Sequence, residues 1–158
     1  MNTDMVGWIT IPDTKINYPV MQTPDNKDYY LNRTFNKLWS DWGSIYALEA
    51  CDINSPSDNV TLYGHNMRDG SMFGSLIDYK DPDFWKEHKY IFFDTIKETH
   101  TYEVIAVFRS QVYKKSDTVF KFYKFFQADT EEEFNDFYDN IKIWKKFTIT
   151  YEMYCFCQ

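Results

Sequence analysis

Short runs of β-branched and aromatic residues, cut apart by turn formers, constrain this chain more than any other feature. WITI at 8–11 and INYPV at 16–20 are rich in β-branched residues, and alternation is clearest in TYEVIAVF at 101–108. A period of two sends successive side chains to opposite faces of an extended strand, whereas a helix of 3.6 residues per turn would scatter them around its surface. Between the runs stand clusters of Pro, Asp, Asn and Ser, which favour turns and loops. The expectation is a mainly β fold with short helices. With 158 residues, 44% of them hydrophobic and 20% aromatic, the chain suits one domain over 1–158 with a substantial core.

Taken in order, Trp8–Ile11 and Ile16–Val20 read as strands about a Pro12–Thr14 turn. Thr23–Leu31 begins with helix-start residues and reads as a short helix or helical turn. Gly43–Ala50 reads as a strand, Cys51–Asn59 as a surface loop and Val60–Tyr63 as another strand. Met72–Tyr79 and Pro82–His88 read as short helices, the second with Asp81 as cap and Pro82 at the first helical position. Tyr90–Asp94 and Thr101–Tyr113 pair as a hairpin across Thr95–Thr99. Asp129–Lys142 is the long helix, with Thr130 as cap, Glu133 three residues later, and Phe134, Phe137, Tyr138 and Ile141 on one face. The aromatic run FKFYKFF at 120–126 is expected as a strand or strand-like loop over that helix.

A net charge of −7 and a pI near 4.9 leave no basic face for nucleic acid, so that partner is excluded. The acidic residues Asp129 and Glu131–Glu133 lie at a helix N-terminus, where they complement the macrodipole and need no metal. No metal site and no cofactor are expected. Cys51, Cys155 and Cys157 form neither an even disulfide framework nor a zinc-type C-x-x-C pair, so at least one thiol should be free. No run of about 18 apolar residues is present, so no membrane span is expected within the chain.

One stretch carries the functional signal. LYGHNMRDGSMFGSL at 62–76 is an apolar entry running into a glycine-punctuated loop, with His65 at its mouth. A lone histidine is more often structural than catalytic, and His88 and His100, which have no comparable setting, are expected on the surface. His65 differs because of the motif around it.

VGWITIPDTKINYPVMQ, then YYLNR, then GHNM followed by GSMF, resembles the sortases over nearly the whole chain, and the long helix late in the sequence resembles class B in particular. The resemblance implies a closed β-barrel with one long helix between late strands. It implies a cysteine transpeptidase that cleaves a C-terminal sorting motif, holds the product as a thioester and attaches surface proteins to peptidoglycan. The partners implied are the sorting-signal peptide of a secreted surface protein, of the N-P-x-T-N or S/P-P-x-T-G type, and a peptidoglycan precursor amine. The setting implied is the extracellular face of the plasma membrane of a Gram-positive bacterium, with the membrane reached only through an N-terminal anchor outside this chain. His65 would be the acid/base, and Leu31, Tyr63 and Asn66 would line the peptide groove. The Phe120–Phe126 region would form a wall of that groove.

Such chemistry needs a thiolate, an acid to protonate the leaving amine and a cationic donor for the oxyanion. In the family the nucleophile ends a strand reading roughly T-L-x-T-C, with an arginine soon after. Cys155 and Cys157 stand 90 and 92 positions after His65, which fits the spacing, but TITYEMYCFCQ does not fit the motif. Cys157 is the better candidate nucleophile and Cys155 the alternative. None of Arg33, Arg68 and Arg109 follows the cysteines, so the oxyanion arginine has no matching position. Read from the third base of the Met153 codon, the degenerate codons for Met153–Gln158 encode Val, Leu, Leu or Phe, Leu, and Ser or Pro, which is similar to the expected strand. The expectation is a frameshifted or truncated C-terminus, with the shift between Lys142 and Met153 and the barrel's last strand lost. The alternative function is a catalytically inactive sortase remnant that only binds sorting peptide.

Overall fold

The computed structural model describes residues 2–110, 113, 114, 116–144 and 152–157, and of residues 109, 110, 143, 144 and 152–157 it describes the backbone alone. Seven strands form one sheet: β1 (Met5–Thr10), β2 (Asn17–Met21), β3 (Ile45–Ala47), β4 (Leu62–Tyr63), β5 (Tyr90–Thr95), β6 (Thr99–Ser110) and β7 (Glu152–Cys157). Their order across the sheet is β4-β3-β2-β1-β5-β6-β7, and the sheet curls into a half-barrel. Two α-helices, α1 (Pro82–Glu87) and α2 (Glu131–Trp144), and three 3₁₀ turns complete the fold.

The first hairpin follows the expected pattern, with Ile11 N–H returning to Ile16 C=O at 2.9 Å across the turn. Pro19 has no N–H to give a neighbour on each side. It stands just before the Val20–Ile45 pair that begins the β2–β3 ladder. That ladder is the sheet's one parallel pairing among the described residues, and it follows from a long crossover. The crossover carries a 3₁₀ turn at Tyr29–Asn32, a tighter form of the helical turn read there. The Val60–Tyr63 strand shortens to Leu62–Tyr63, and Met72–Tyr79 becomes a 3₁₀ turn over Gly74–Lys80.

The main core lies under the curl of the sheet. Ile9, Ile16, Val20, Ile45, Ile91 and Val104 point into it, joined by Leu76 and Tyr79 from the Gly74–Lys80 turn. In the Cys51–Asn59 loop, Cys51 and Ile53 turn inward, which the polar composition of that loop hides. A second cluster, Ala106, Phe108, Phe122 and Ile141, seats α2 against β6. A third, Met21, Tyr30 and Tyr46, seats the Tyr29–Asn32 turn.

Helix starts follow their residues closely. Asp81 caps α1 by accepting from Asp83 N–H at 2.9 Å, with Pro82 at the first position. At α2, Thr130 Oγ1 accepts from Glu133 N–H at 3.2 Å and Glu133 reaches back to Asp129 N–H at 2.8 Å. The run at 120–126 corrects one expectation in part. It forms no strand, because a 3₁₀ turn at Phe122–Lys124 breaks the alternation so that Phe122 can enter the core edge-on to Phe108 while Phe125 stacks on Phe137 of the helix. The strand-like loop over the helix is what remains.

At the other end, β7 pairs antiparallel with β6 from Ser110–Glu152 to Val104–Cys157, so Cys155 and Cys157 lie two positions apart on one strand. Residues 145–151, where most of the expected frameshift window falls, lie outside the described residues. The backbone of β7 comes within 8 Å of the Gly74–Lys80 turn.

Because Phe122 joins α2 to β6, Phe122→Ala should lower the unfolding free energy by about 3–5 kcal/mol, read from chemical denaturation.

Candidate active site

The segment after β4 is a loop closed on itself. Phe73 N–H donates to His65 C=O at 3.0 Å, Asn66 and Met72 form a single antiparallel bridge, and Gly70 N–H returns to Met67 C=O at 3.0 Å. Gly74 makes the closure possible, since a Cβ there would lie 2.1 Å from the Met67 carbonyl oxygen. Gly70 supplies a left-handed turn at φ +78°, and Met72 adopts a left-handed φ of 52°, an uncommon conformation for an unbranched residue.

Two long-range bonds tie this loop to the first hairpin. Tyr18 O–H on β2 accepts from Met72 N–H at 3.0 Å, and the Lys15 ammonium donates to Asp69 C=O. Asp69 accepts from the Ser71 hydroxyl at 2.6 Å and the Ser71 N–H at 3.0 Å, and these bonds hold its carboxyl below the usual carboxylate range. His65 therefore stands half-buried on a braced backbone, delivered by the β3–β4 ladder in which Tyr46 faces Tyr63 and Ala47 faces Leu62.

The expected groove residues come to the same region. Tyr63, His65 and Asn66 follow one another out of β4, and Tyr63 packs on the cluster that seats the Tyr29–Asn32 turn. Leu31, on that turn, is 40% exposed. Its turn is pressed onto the entry to β3, where Ser44 N–H donates to Tyr30 C=O at 3.0 Å and a Cβ on Gly43 would lie 2.2 Å from the Leu31 carbonyl oxygen. Tyr30 is almost fully buried, and its hydroxyl donates to Asp4 at 2.8 Å while accepting from Asn2; burial leads the causes that push this phenol up to about 12. Asp4 is bound in turn by the Lys37 ammonium at 2.8 Å, which holds its carboxyl below the usual range.

The thiols divide into two groups. Cys51 is buried, with its sulfur 3.3 Å from Thr61 N and 3.5 Å from Asn59 O, and burial pushes its pKa up. A thiol kept protonated in this way is packing, not a nucleophile. The side chains of Cys155 and Cys157 lie outside the described residues, so their strand register is their observed property. Among the arginines, the Arg33 guanidinium lies over the rings of Tyr29 and Trp39, Arg68 is exposed on the loop, and Arg109 pairs through its backbone with Met153 in the β6–β7 ladder. His88 and His100 are half-buried and have local structural partners. His88 stacks on Phe84 and its Nδ1 lies 2.9 Å from Phe84 C=O, and His100 Nε2 lies 3.7 Å from Glu98.

Sequence reasoning did not find Tyr18, Lys15 or Tyr46 as supports of this region. The only signal for the tyrosines was a polar tip on a strand residue, which needs a partner when buried. Among the described residues, no group of three His, Cys, Asp or Glu is placed to hold a metal, and no helix is long and apolar enough to cross a membrane.

A family profile described as the Sortase domain matches residues 9–135. Sortase B of Listeria monocytogenes is 39% identical over 110 residues, covering 70% of this chain and 44% of that protein. Sortase B of Staphylococcus aureus is 36% identical over 110 residues, covering 70% and 45%. In structure, sortase B from Bacillus anthracis in complex with AAEK1 superposes with a TM-score of 0.82 at 31% identity, covering 99% of this chain and 78% of that one. The Staphylococcus aureus sortase B–substrate complex gives 0.81 at 28%, covering 96% and 66%. The chain belongs to the sortase family, on the side of class B, and it spans less than half the length of the curated relatives it matches.

Two outcomes follow from the local geometry. Gly74→Ala must push the Met67 carbonyl away, and should lower stability by about 1–3 kcal/mol in urea denaturation. Unfolded, the Cys51 thiol titrates near 9, and the fold raises that value. The folded state therefore binds this proton more tightly, so its contribution is intact below pH 9 and is lost as pH rises through the folded value. Native-state alkylation followed by peptide mapping should leave Cys51 unlabelled at pH 8 and label it once the chain is unfolded.

Proposed function

We propose that the chain acts as a class B sortase-type cysteine transpeptidase, with His65 as acid/base, Cys157 as nucleophile and Cys155 as the alternative. The observation that carries this reading is that β7, the strand bearing both cysteines, passes within 8 Å of the turn that directly follows the His65 loop. In the proposed reaction the Cys157 thiolate attacks the carbonyl carbon of the scissile peptide bond. The C–N bond breaks as His65 gives its proton to the leaving amine, and a thioester remains on sulfur. An amine of a peptidoglycan precursor then attacks the thioester, loses its proton to His65 and regenerates the thiolate. Leu31, Tyr63 and Asn66 hold the sorting peptide beside this pair. The same reading sets the protein on the extracellular face of the plasma membrane of a Gram-positive bacterium.

A second reading, a binding-only remnant, is favoured by the arginines. Arg33 is engaged with two aromatic rings. A sortase-type enzyme whose oxyanion has no cationic donor should be slower by about 10²–10³-fold in kcat.

A fluorogenic sorting-motif peptide separates the two. Slow turnover that is lost in both Cys157→Ala and His65→Ala supports the transpeptidase. Saturable binding with no turnover, unchanged by Cys157→Ala, supports the remnant.

A further inference from the structure

The two walls of the proposed peptide groove belong to different parts of the chain, Leu31 to the crossover and Tyr63 to β4. One buried side chain touches the supports of both. Tyr46 on β3 is 6% exposed, and its ring centre lies 5.3 Å from that of Tyr63, its cross-strand partner, at an interplanar angle of 31°. Its hydroxyl donates to the Asp28 carboxylate at 3.1 Å. Asp28 sits at the entry to the Tyr29–Asn32 turn in a left-handed conformation, φ 54°, and its own carbonyl accepts Leu31 N–H at 3.0 Å. A single aspartate thus holds the Leu31 backbone with one group and the Tyr46 ring with another.

We propose that the Tyr46–Asp28 hydrogen bond is a positioning latch that fixes the spacing of Leu31 and Tyr63, and so sets affinity for the sorting peptide without entering the chemistry. Burial, followed by the negative charge of Asp28, raises the Tyr46 pKa, so the hydroxyl keeps its proton across the physiological range. Asp28 itself is exposed, so the latch opens toward solvent and its loss should leave the core intact. Other attachments of the turn do not depend on the Tyr46 hydroxyl: backbone contacts through Gly43 and Ser44 to Tyr30 and Leu31, and the Tyr30 hydroxyl bonded to Asp4 and Asn2. Removing the hydroxyl therefore loosens one end of the turn instead of unfolding it.

This inference rests on the peptide-groove reading, and its test uses the whole chain in two measurements. With a fluorogenic peptide of the N-P-x-T-N type, Tyr46→Phe should raise KM about fivefold while kcat stays within about twofold, or raise Kd by the same factor if the chain binds without turnover. Asp28→Ala should match it, Asp28→Asn, which keeps the acceptor oxygen, should stay within about twofold of wild type, and the Tyr46→Phe/Asp28→Ala pair should be no worse than either single variant. Hydrogen exchange at the Leu31 amide should quicken in Tyr46→Phe with the melting temperature close to wild type. Unchanged exchange overturns the latch. Faster exchange with unchanged KM and Kd overturns its link to the peptide. Faster exchange in a wild-type background that binds no peptide overturns the groove reading and leaves the latch as a structural device only.

Discussion

The hydrogen bond from Phe73 N–H to His65 C=O, made possible by the bare Cα of Gly74 against the Met67 carbonyl, is the constraint on which the rest of this molecule turns. It converts His65–Phe73, between β4 and the Gly74–Lys80 turn, into a closed loop, so that a histidine leaving a two-residue strand still has a defined backbone. A strand that short cannot fix a side chain on its own ladder. The bonds from Lys15 and Tyr18 supply the missing stiffness from the opposite end of the sequence. The first hairpin is therefore part of the site although none of its residues is proposed to touch substrate.

The same division of labour recurs around Leu31. The crossover that makes β2 and β3 parallel is long because parallel neighbours cannot be joined by a tight turn. Its length is turned to use by folding the Tyr29–Asn32 turn back onto the β3 entry, where Tyr30, Tyr46 and Met21 bury themselves as a separate small core. The polar ends of both tyrosines then reach carboxylates at the rim, Tyr30 to Asp4 and Tyr46 to Asp28. The proposed peptide-binding region is assembled from a closed loop and a docked turn, each held by its own contacts.

The parts readable from sequence are those governed by local rules. The Asp81 and Thr130 caps, the alternation of β6 and the amphipathic face of α2 all depend on residues a few positions apart, and each forms where its residues stand. The LYGHNMRDGSMFGSL stretch pointed to His65 through its resemblance to the sortase motif, and two of its glycines sit where the chain turns left-handed, Gly70, or where backbone meets backbone, Gly74. What stayed hidden depends on distant partners. Nothing local marks Tyr18 as the acceptor for Met72, 54 residues on, or tells that Phe122 will break an alternating run to reach Phe108. Cys155 and Cys157 were legible only as a spacing from His65; the strand that carries them pairs antiparallel with β6, and its backbone passes within 8 Å of the Gly74–Lys80 turn.

The central claim is that His65 and the β7 cysteine strand act as one catalytic pair. The most direct measurement is the intact mass of the chain after mixing with an unlabelled sorting-motif peptide and rapid acid quenching, which preserves a thioester. The account predicts a mass increase equal to the N-terminal peptide fragment, mapped to Cys157, that forms far more slowly in His65→Ala. An adduct on neither Cys157 nor Cys155, or one that forms at the same rate without the histidine, would contradict it.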